Sequence, residues 1–204
     1  MRATVDRAVE TIAMQTDAAF HSALAARERY RDDYWHKYDP IAADRLLWRA
    51  QTFRHTVHLL PGQTILELGC GEGLFTHALL QASRGENRIT TVTFQELARV
   101  PSDIRAQVEL LGTSDLPGSL AGRHFDYVVA MDLLDLSCAS QLLAIVHALL
   151  APGGAMDQSF PWNGCLFIPS RARGRRLLAC AAGHLAQTGI RGRAVPGSAP
   201  ATFV

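Results

Sequence analysis

The sequence lacks the cysteine pattern of a disulfide-bonded or metal-binding protein. Its four cysteines lie at positions 70, 138, 165 and 180, with no short paired spacing. This arrangement excludes a C-x-x-C redox site and a zinc cluster built on cysteine pairs, and it is typical of reduced thiols in a cytoplasmic chain. The eight histidines are also scattered, so we predict no metal site.

Long apolar runs and a strong net charge are absent as well. No apolar run approaches the roughly 20 residues that span a bilayer, and Asp6 and Glu10 interrupt the apolar residues of the N-terminus, which argues against a secretion signal. The formal net charge is +1, although residues 151–204 hold six Arg and one acidic residue. We therefore expect a cytoplasmic protein with no membrane span and no nucleic-acid partner.

The sequence does have a regular alternation of short apolar runs and longer helical patterns. With 204 residues and 48% hydrophobic content, one substantial core is expected. The alternation predicts strands and helices of a largely parallel α/β sheet. We place strands near 64–68, 89–94, 108–111 and 125–130, and helices near 4–28, 40–60, 73–83, 96–100 and 138–150.

A glycine-rich turn between the first predicted strand and its helix is the feature most informative about function. Gly69, Gly71 and Gly73 alternate with other residues at the expected end of that strand. Glycine permits positive φ and a close ligand approach, and a helix N-terminus offers unpaired N–H groups. Such turns bind nucleotide-like ligands, provided that the turn is open and not filled by side chains.

The residues around this turn narrow the choice of ligand. No Lys-Ser or Lys-Thr pair follows Gly73, which excludes a Walker-type phosphate loop. A dinucleotide fingerprint would have glycine where this chain has Leu74, which weakens the nicotinamide interpretation. Glu67 and Glu72 would repel a diphosphate and favour a cation. The turn therefore favours a cofactor without phosphates.

Four motifs in order give the chain a resemblance to a known family. They are ILELGCGEG at 65–73, VELLGTSDLP at 108–117, FDYVVAMDLLD at 125–135 and LLAPGG at 149–154. Over about residues 30–165 this series resembles the class I S-adenosylmethionine-dependent methyltransferases. The resemblance implies a Rossmann-like, doubly wound, mostly parallel sheet with N-terminal helices, and S-adenosylmethionine as cofactor.

The end of the chain departs from that family. Residues 155–160 are poorly patterned for a buried fifth strand, and the expected hairpin of strands six and seven is missing. We expect C-terminal strands that are incomplete or divergent, and disorder from about residue 190. The predicted domains are a helical cap over 1–60, a cofactor-binding core over 61–168 and a basic, partly disordered tail over 169–204.

The resemblance implies a set of cofactor contacts. The three turn glycines and Cys70 would lie against the methionine and ribose, and Glu67 would face the amino or sulfonium group. Thr93 stands where the family has a ribose-binding acid, so Gln95 or Glu96 would substitute, although Glu96 is equally explained as a solvated helix start. The remaining implied contacts follow the third and fourth strands: Ser114, Asp115 and Met131. A turn cap explains Ser114 and Asp115 equally well.

Candidate catalytic residues follow the fourth strand and the first helix. Many small-molecule members of the family have a histidine base at the position of Leu136, so that role does not carry over. Asp132 or Asp135 could accept a proton, although a helix cap explains Asp135 equally well. His36 lies in the aromatic segment 30–38, which in related enzymes folds over the cofactor as a lid, and an aromatic anchor of the helix is the alternative.

Two function classes remain open at this point. The first is a methyltransferase that acts on a small-molecule acceptor. The second is a catalytically impaired or structural remnant of such an enzyme, suggested by the divergent C-terminus and by Thr93 and Leu136. A missing edge strand would expose N–H groups of the sheet. The remnant hypothesis therefore predicts a homodimer or aggregation unless the tail covers the edge.

Overall fold

The computed structural model describes residues 18–37, 40–112, 120–133, 139–159 and 165–169. The helices are α1 (Ala18–His36), α2 (Ile41–Thr56), α3 (Leu74–Ser83), α4 (Ser102–Arg105) and α5 (Ala139–Leu149), with a 3-10 turn at Leu97–Arg99. The strands are β1 (Thr64–Leu68), β2 (Arg88–Thr93), β3 (Glu109–Gly112), β4 (Phe125–Val129), β5 (Leu150–Ser159) and β6 (Cys165–Pro169).

These strands form one sheet in the order β3-β2-β1-β4-β5-β6. The first five are parallel, and β6 is antiparallel to β5. The order reverses between β1 and β4, which is the arrangement of a doubly wound sheet. The prediction of a Rossmann-like, doubly wound α/β fold is confirmed.

The centre of the sheet holds the main core. β1 is buried from Ile65 to Leu68 because it lies between β2 and β4, which explains its nearly continuous apolar sequence. Phe53 of α2 meets Tyr127 of β4 edge to face, with ring centroids 5.8 Å apart. The Tyr127 hydroxyl donates to the Val57 carbonyl oxygen at 3.1 Å. These contacts fix α2 against the sheet.

The first helix differs from its prediction. It was expected to end near residue 28, but α1 continues to His36 and takes in most of the aromatic segment. Trp35 is buried in the same core cluster as Phe53, so packing holds the last turns of α1 in place. No proline interrupts the helix before Pro40. Residues 4–17 of the predicted helix lie outside the described residues.

The fifth strand is a correction to the sequence analysis. Residues 150–159 form β5, parallel to β4, with an irregular register between the pairs of Phe125 and Tyr127. The irregularity accommodates the Pro-Gly-Gly at 152–154, which in the sequence is typical of a loop. One further strand, β6, follows among the described residues, whereas the predicted disorder from residue 190 lies outside them. None of the described helices combines the length and the apolar character that crossing a membrane requires.

Candidate functional site

The glycine turn lies at the carboxyl end of β1, beside the point where the strand order reverses. Gly69, Gly71 and Gly73 have φ of 74°, 57° and 81°, which is the left-handed region that glycine adopts readily. The backbone N–H of Gly69 donates to the Val92 carbonyl oxygen at 2.8 Å, which ties the turn to the end of β2. In open α/β sheets, ligands bind in the crevice at this reversal. The turn is therefore placed as a ligand site requires.

The turn is not open, contrary to the expectation from the sequence. Side chains of α1 lie on Gly71: a Cβ there would overlap Asp32 Oδ2 and would lie 2.5 Å from Arg31 Nη2. Leu133 covers Gly69 and Ile104 covers Gly73, at 2.9 and 3.0 Å from the corresponding Cβ positions. The predicted cradle is thus filled by side chains of the chain itself.

Three charged residues of α1 make the contacts in the crevice, and we refer to Glu28, Arg31 and Asp32 as the α1 cluster. Each is buried, with at most 4% of its surface exposed. Arg31 Nη2 donates to Asp32 Oδ1 at 2.8 Å, and Arg31 Nη1 donates to the carbonyl oxygens of Gly69 and Met131. Burial opposes a charge on Arg31, but Asp32 and Glu28 outweigh it and raise the pKa of the guanidinium. The Arg31 guanidinium therefore bridges the main chain that follows β1 and the main chain that follows β4.

The side chain of Glu28, from α1, lies against the end of β2. Its Oε1 accepts the Gly71 N–H at 2.7 Å, and its Oε2 accepts the Phe94 N–H at 3.1 Å and lies 3.4 Å from Thr93 Oγ1. Burial raises the pKa of Glu28 in spite of the attraction of Arg31. A carboxylate thus lies beside Thr93, although the strand itself supplies none.

The α1 cluster is not among the residues predicted from the sequence. The signal that could have found it is the helical spacing of Glu28, Arg31 and Asp32 with the buried Leu24 and Trp35. Charged residues on the apolar stripe of a helix must be paired within the fold, because an unpaired buried charge is strongly unfavourable.

Glu67 is buried beneath the first turn of α3. Thr76 Oγ1 donates to Glu67 Oε2 at 2.7 Å, while Glu67 Oε1 has no hydrogen-bond partner among the described residues. Burial raises the pKa of Glu67 to about 7, against the effects of Thr76 and Arg31. An acceptor without a donor at this position is a feature that a ligand could satisfy.

The two candidates after β2 differ in their surroundings. Gln95 Nε2 donates to Asp32 Oδ2 at 3.1 Å, whereas Gln95 Oε1 has no partner within the described part of the chain. Glu96 is exposed at the start of the 3-10 turn, and its side chain makes no capping hydrogen bond. The structure therefore brings Gln95 to the crevice and leaves Glu96 in solvent.

Asp132 lies directly after β4 in a strained backbone conformation. Its φ is 53°, which is unfavourable for a residue with a side chain, and its carboxylate is buried. Arg49 Nη1 of α2 lies 3.4 Å from Asp132 Oδ2. Burial nevertheless raises the pKa of Asp132, which Arg49 and Arg31 counteract. Asp132 is thus a third carboxyl group in the crevice, after Glu28 and Glu67, whose pKa is raised.

His36 and Cys70 take positions at the outside and the back of the turn. His36 Nε2 lies 2.7 Å from Glu72 Oε2, and Arg99 also donates to Glu72, which lowers the pKa of that carboxyl. Cys70 packs in a small apolar cluster with Val100 and Ile104, and burial raises the pKa of its thiol well above the usual value. Ser114, Asp115 and Asp135 lie outside the described residues.

The raised pKa of Glu67 predicts a pH-dependent stability. Because the folded state holds the proton more tightly, the stabilising contribution of the protonated group is complete below pH 4.5 and is lost as the pH rises through about 7. We expect Glu67→Gln to increase the free energy of unfolding at pH 8 relative to wild type, by up to roughly 3 kcal/mol. Urea unfolding from pH 4 to pH 8 measures this difference. Glu86→Gln, at an exposed carboxylate, should follow wild type, and a Glu67→Gln curve parallel to wild type would contradict the prediction.

Known proteins similar to this chain are found among solved structures. No protein-family model matches the sequence, and no curated protein matches it. Similar solved structures include coclaurine N-methyltransferase bound to N-methylheliamine and SAH, with 19% identity, a TM-score of 0.44, and a match over 57% of this chain and 35% of that one.

Two further similar structures carry names that do not describe a methyltransferase. The [4+2]-cyclase SpnF matches with 26% identity and a TM-score of 0.45, over 57% of this chain and 44% of that one. A cyclopropane-fatty-acyl-phospholipid synthase-like protein from Lactobacillus casei ATCC 334 matches with 20% identity and a TM-score of 0.41, over 57% of this chain and 48% of that one. The match thus spans less than half of each of these three neighbours. The fold that the resemblance to class I methyltransferases implies is confirmed by the strand order of the sheet itself.

Proposed function

We propose that this protein binds S-adenosylmethionine at the glycine turn and transfers its methyl group to a small-molecule acceptor. The observation that carries the proposal is the electrostatics of the crevice, where the guanidinium of Arg31 acts on the buried carboxyl groups of Glu67 and Asp132 and donates to the main-chain oxygens of Gly69 and Met131. Carboxyl groups that neutralise a guanidinium in this structure could neutralise a cationic ligand in its place. A cofactor with a sulfonium and an ammonium group has that chemistry.

The unpartnered acceptors support the same ligand. Glu67 Oε1 and Gln95 Oε1 have no donor among the described residues. S-adenosylmethionine carries an ammonium group, ribose hydroxyls and an adenine amine, all of which donate hydrogen bonds. The residues of the crevice therefore fit the cofactor chemically, but the volume in contact with Gly71 is taken by Arg31 and Asp32.

The chain's own residues would have two roles in the reaction. When bound, the cofactor would supply an electrophilic methyl group. The turn and Glu67 would position it, because methyl transfer depends on near-attack geometry in a site without water. Asp132, whose pKa is raised by burial, would accept the proton of a hydroxyl or ammonium acceptor. Arg49 would hold the Asp132 carboxylate in place.

Calorimetry and thermal unfolding with the cofactor test the proposal. We expect S-adenosylmethionine and its demethylated product to bind and to raise the melting temperature, with a gain of about 2.7 kcal/mol at 100 times the Kd. Reduced nicotinamide dinucleotide, offered under the same conditions, should cause no shift, since Leu74 replaces the third glycine of its fingerprint. A shift with the nicotinamide alone would contradict the proposal.

The filled turn favours one alternative, a structural remnant that no longer uses the cofactor. In that case the α1 cluster would be a permanent part of the core, and neither binding nor transfer would be measurable. Incubation of the purified protein with cofactor labelled in the methyl group and with a small-molecule extract separates the two functions. Labelled product supports the enzyme. Its absence, together with the absence of binding, supports the remnant.

A further inference from the structure

We propose that the α1 cluster is an internal occupant of the cofactor cradle, so that the docking of α1 controls whether a ligand can bind. This inference rests on the proposed function, because it concerns the regulation of the same site. Glu28, Arg31 and Asp32 would have to leave the crevice before a ligand enters it. In this view the structure represents the closed, inhibited state of the protein.

Side chains of α1 fill the space directly above Gly71. A single methyl group added at Gly71 would overlap Asp32 Oδ2 and would crowd Arg31 Nη2. Because protein interiors are close-packed, the surface of the turn cannot contact α1 and a ligand at the same time. A helix that covered a bound ligand would leave a gap above the glycine, and here there is none.

The α1 cluster makes its hydrogen bonds with main-chain groups at the ends of the strands. The carboxylate of Glu28 accepts main-chain N–H groups from Gly71 and Phe94, and the guanidinium of Arg31 donates to the main-chain oxygens of Gly69 and Met131. These four groups lie at the ends of β1, β2 and β4, where a ligand of a doubly wound sheet binds. The α1 cluster therefore forms the hydrogen bonds with main-chain groups that a zwitterionic ligand would form.

The ion pair of the α1 cluster contributes little to the stability of the closed state. A buried ion pair contributes little net stability, because the loss of hydration offsets the attraction between the charges. The cluster also leaves acceptors of Glu67 and Gln95 without partners among the described residues. Release of the cluster into water would recover its hydration, and a ligand would gain the main-chain contacts. An exchange between the two occupants is therefore energetically accessible.

Hydrogen–deuterium exchange of the wild-type chain, with and without millimolar S-adenosylmethionine, tests the inference. We expect backbone amides of α1 to exchange faster when the cofactor is bound, while β1 and α3 become more protected. A lid that closes over its ligand would give the opposite change in α1. Binding with slower or unchanged exchange in α1 would overturn the inference and leave the proposed function intact.

Variants provide an independent measurement by calorimetry. Removal of the occupant raises the fraction of molecules that can bind, so we expect Arg31→Met to tighten cofactor binding at least ~10-fold. Arg29→Met, at an exposed position on the same helix, removes the same charge and should match wild type within about twofold. If Arg31→Met does not fold, Glu28→Gln gives the same test, because it weakens the contacts with Gly71 and Phe94 and keeps the pair of Arg31 with Asp32.

The outcomes distinguish the two proposals. Equal affinity of wild type and the cluster variant would overturn the regulatory inference alone. No binding by wild type, Arg31→Met or Glu28→Gln would overturn the proposed function, and the regulatory inference with it. Tighter binding by the cluster variant, with Arg29→Met unchanged, would support both.

Discussion

Gly71→Ala should lower the free energy of unfolding by about 4 kcal/mol, from backbone strain and from the disruption of a buried ion pair. The residue has φ of 57°, and a Cβ would overlap Asp32 and crowd Arg31, which are held to one another at 2.8 Å. The side chains cannot simply rotate away, because Arg31 also donates to Gly69 and Met131. Urea unfolding monitored by circular dichroism measures the loss.

Gly85→Ala is a matched control for this prediction. Gly85 also has a positive φ, of 71°, but no atom lies within 4 Å of its Cβ position. Gly85→Ala should therefore lower the free energy of unfolding only by the strain of a left-handed residue, about 1–2 kcal/mol. If the two variants were equally stable, the contact between α1 and the turn would not exist in solution, and the filled cradle would have to be abandoned.

Phe53→Ala should destabilise the protein by about 3–5 kcal/mol, because it leaves a cavity where an aromatic ring was packed. Phe53 is 2% exposed and meets Tyr127 edge to face in the cluster that fixes α2 to the sheet. Thermal and urea unfolding measure the effect. Trp48→Ala, on the same helix at a side chain that is 57% exposed, should change stability by less than about 0.5 kcal/mol. A comparable loss in both variants would mean that α2 does not pack as described.

The position of α2 also concerns the site. Arg49 comes from this helix, stacks over the Trp35 ring with 5.0 Å between the guanidinium carbon and the ring centroid, and reaches Asp132. Loosening of α2 would therefore release the carboxyl group that we propose as proton acceptor. The core contacts of Phe53 and the chemistry of Asp132 are linked through one short helix.

Much of the candidate site could be predicted from the sequence because its scaffold is local. The turn glycines adopt the positive φ that their pattern predicts, and Glu67 ends β1 beside them. Gln95 lies at the crevice, where it contacts Asp32, while Glu96 is in solvent. The roles of all the predicted site residues remain predictions, as do the acceptor, the domain limits and a homodimer.

The α1 cluster could not be predicted in the same way. Glu28 meets Gly71 across 43 positions of the chain, and Arg31 meets Gly69 across 38. Their place on the apolar stripe of α1 is a local signal of burial. The partners that they contact depend on how α1 lies against the sheet, which no local pattern encodes. The expectation of an open turn was wrong for this reason.

The sequence by itself determined the order of the first four strands and of the long helices, the bend after β1 and the acid that precedes it, because apolar periodicity and the conformational freedom of glycine act over a few residues. Only the tertiary structure decided what lies on that bend, how Thr93 acquires a neighbouring carboxylate and how β5 continues through Pro-Gly-Gly. Those features arise from contacts between segments distant in the chain, and their geometry is set by the packing of whole elements.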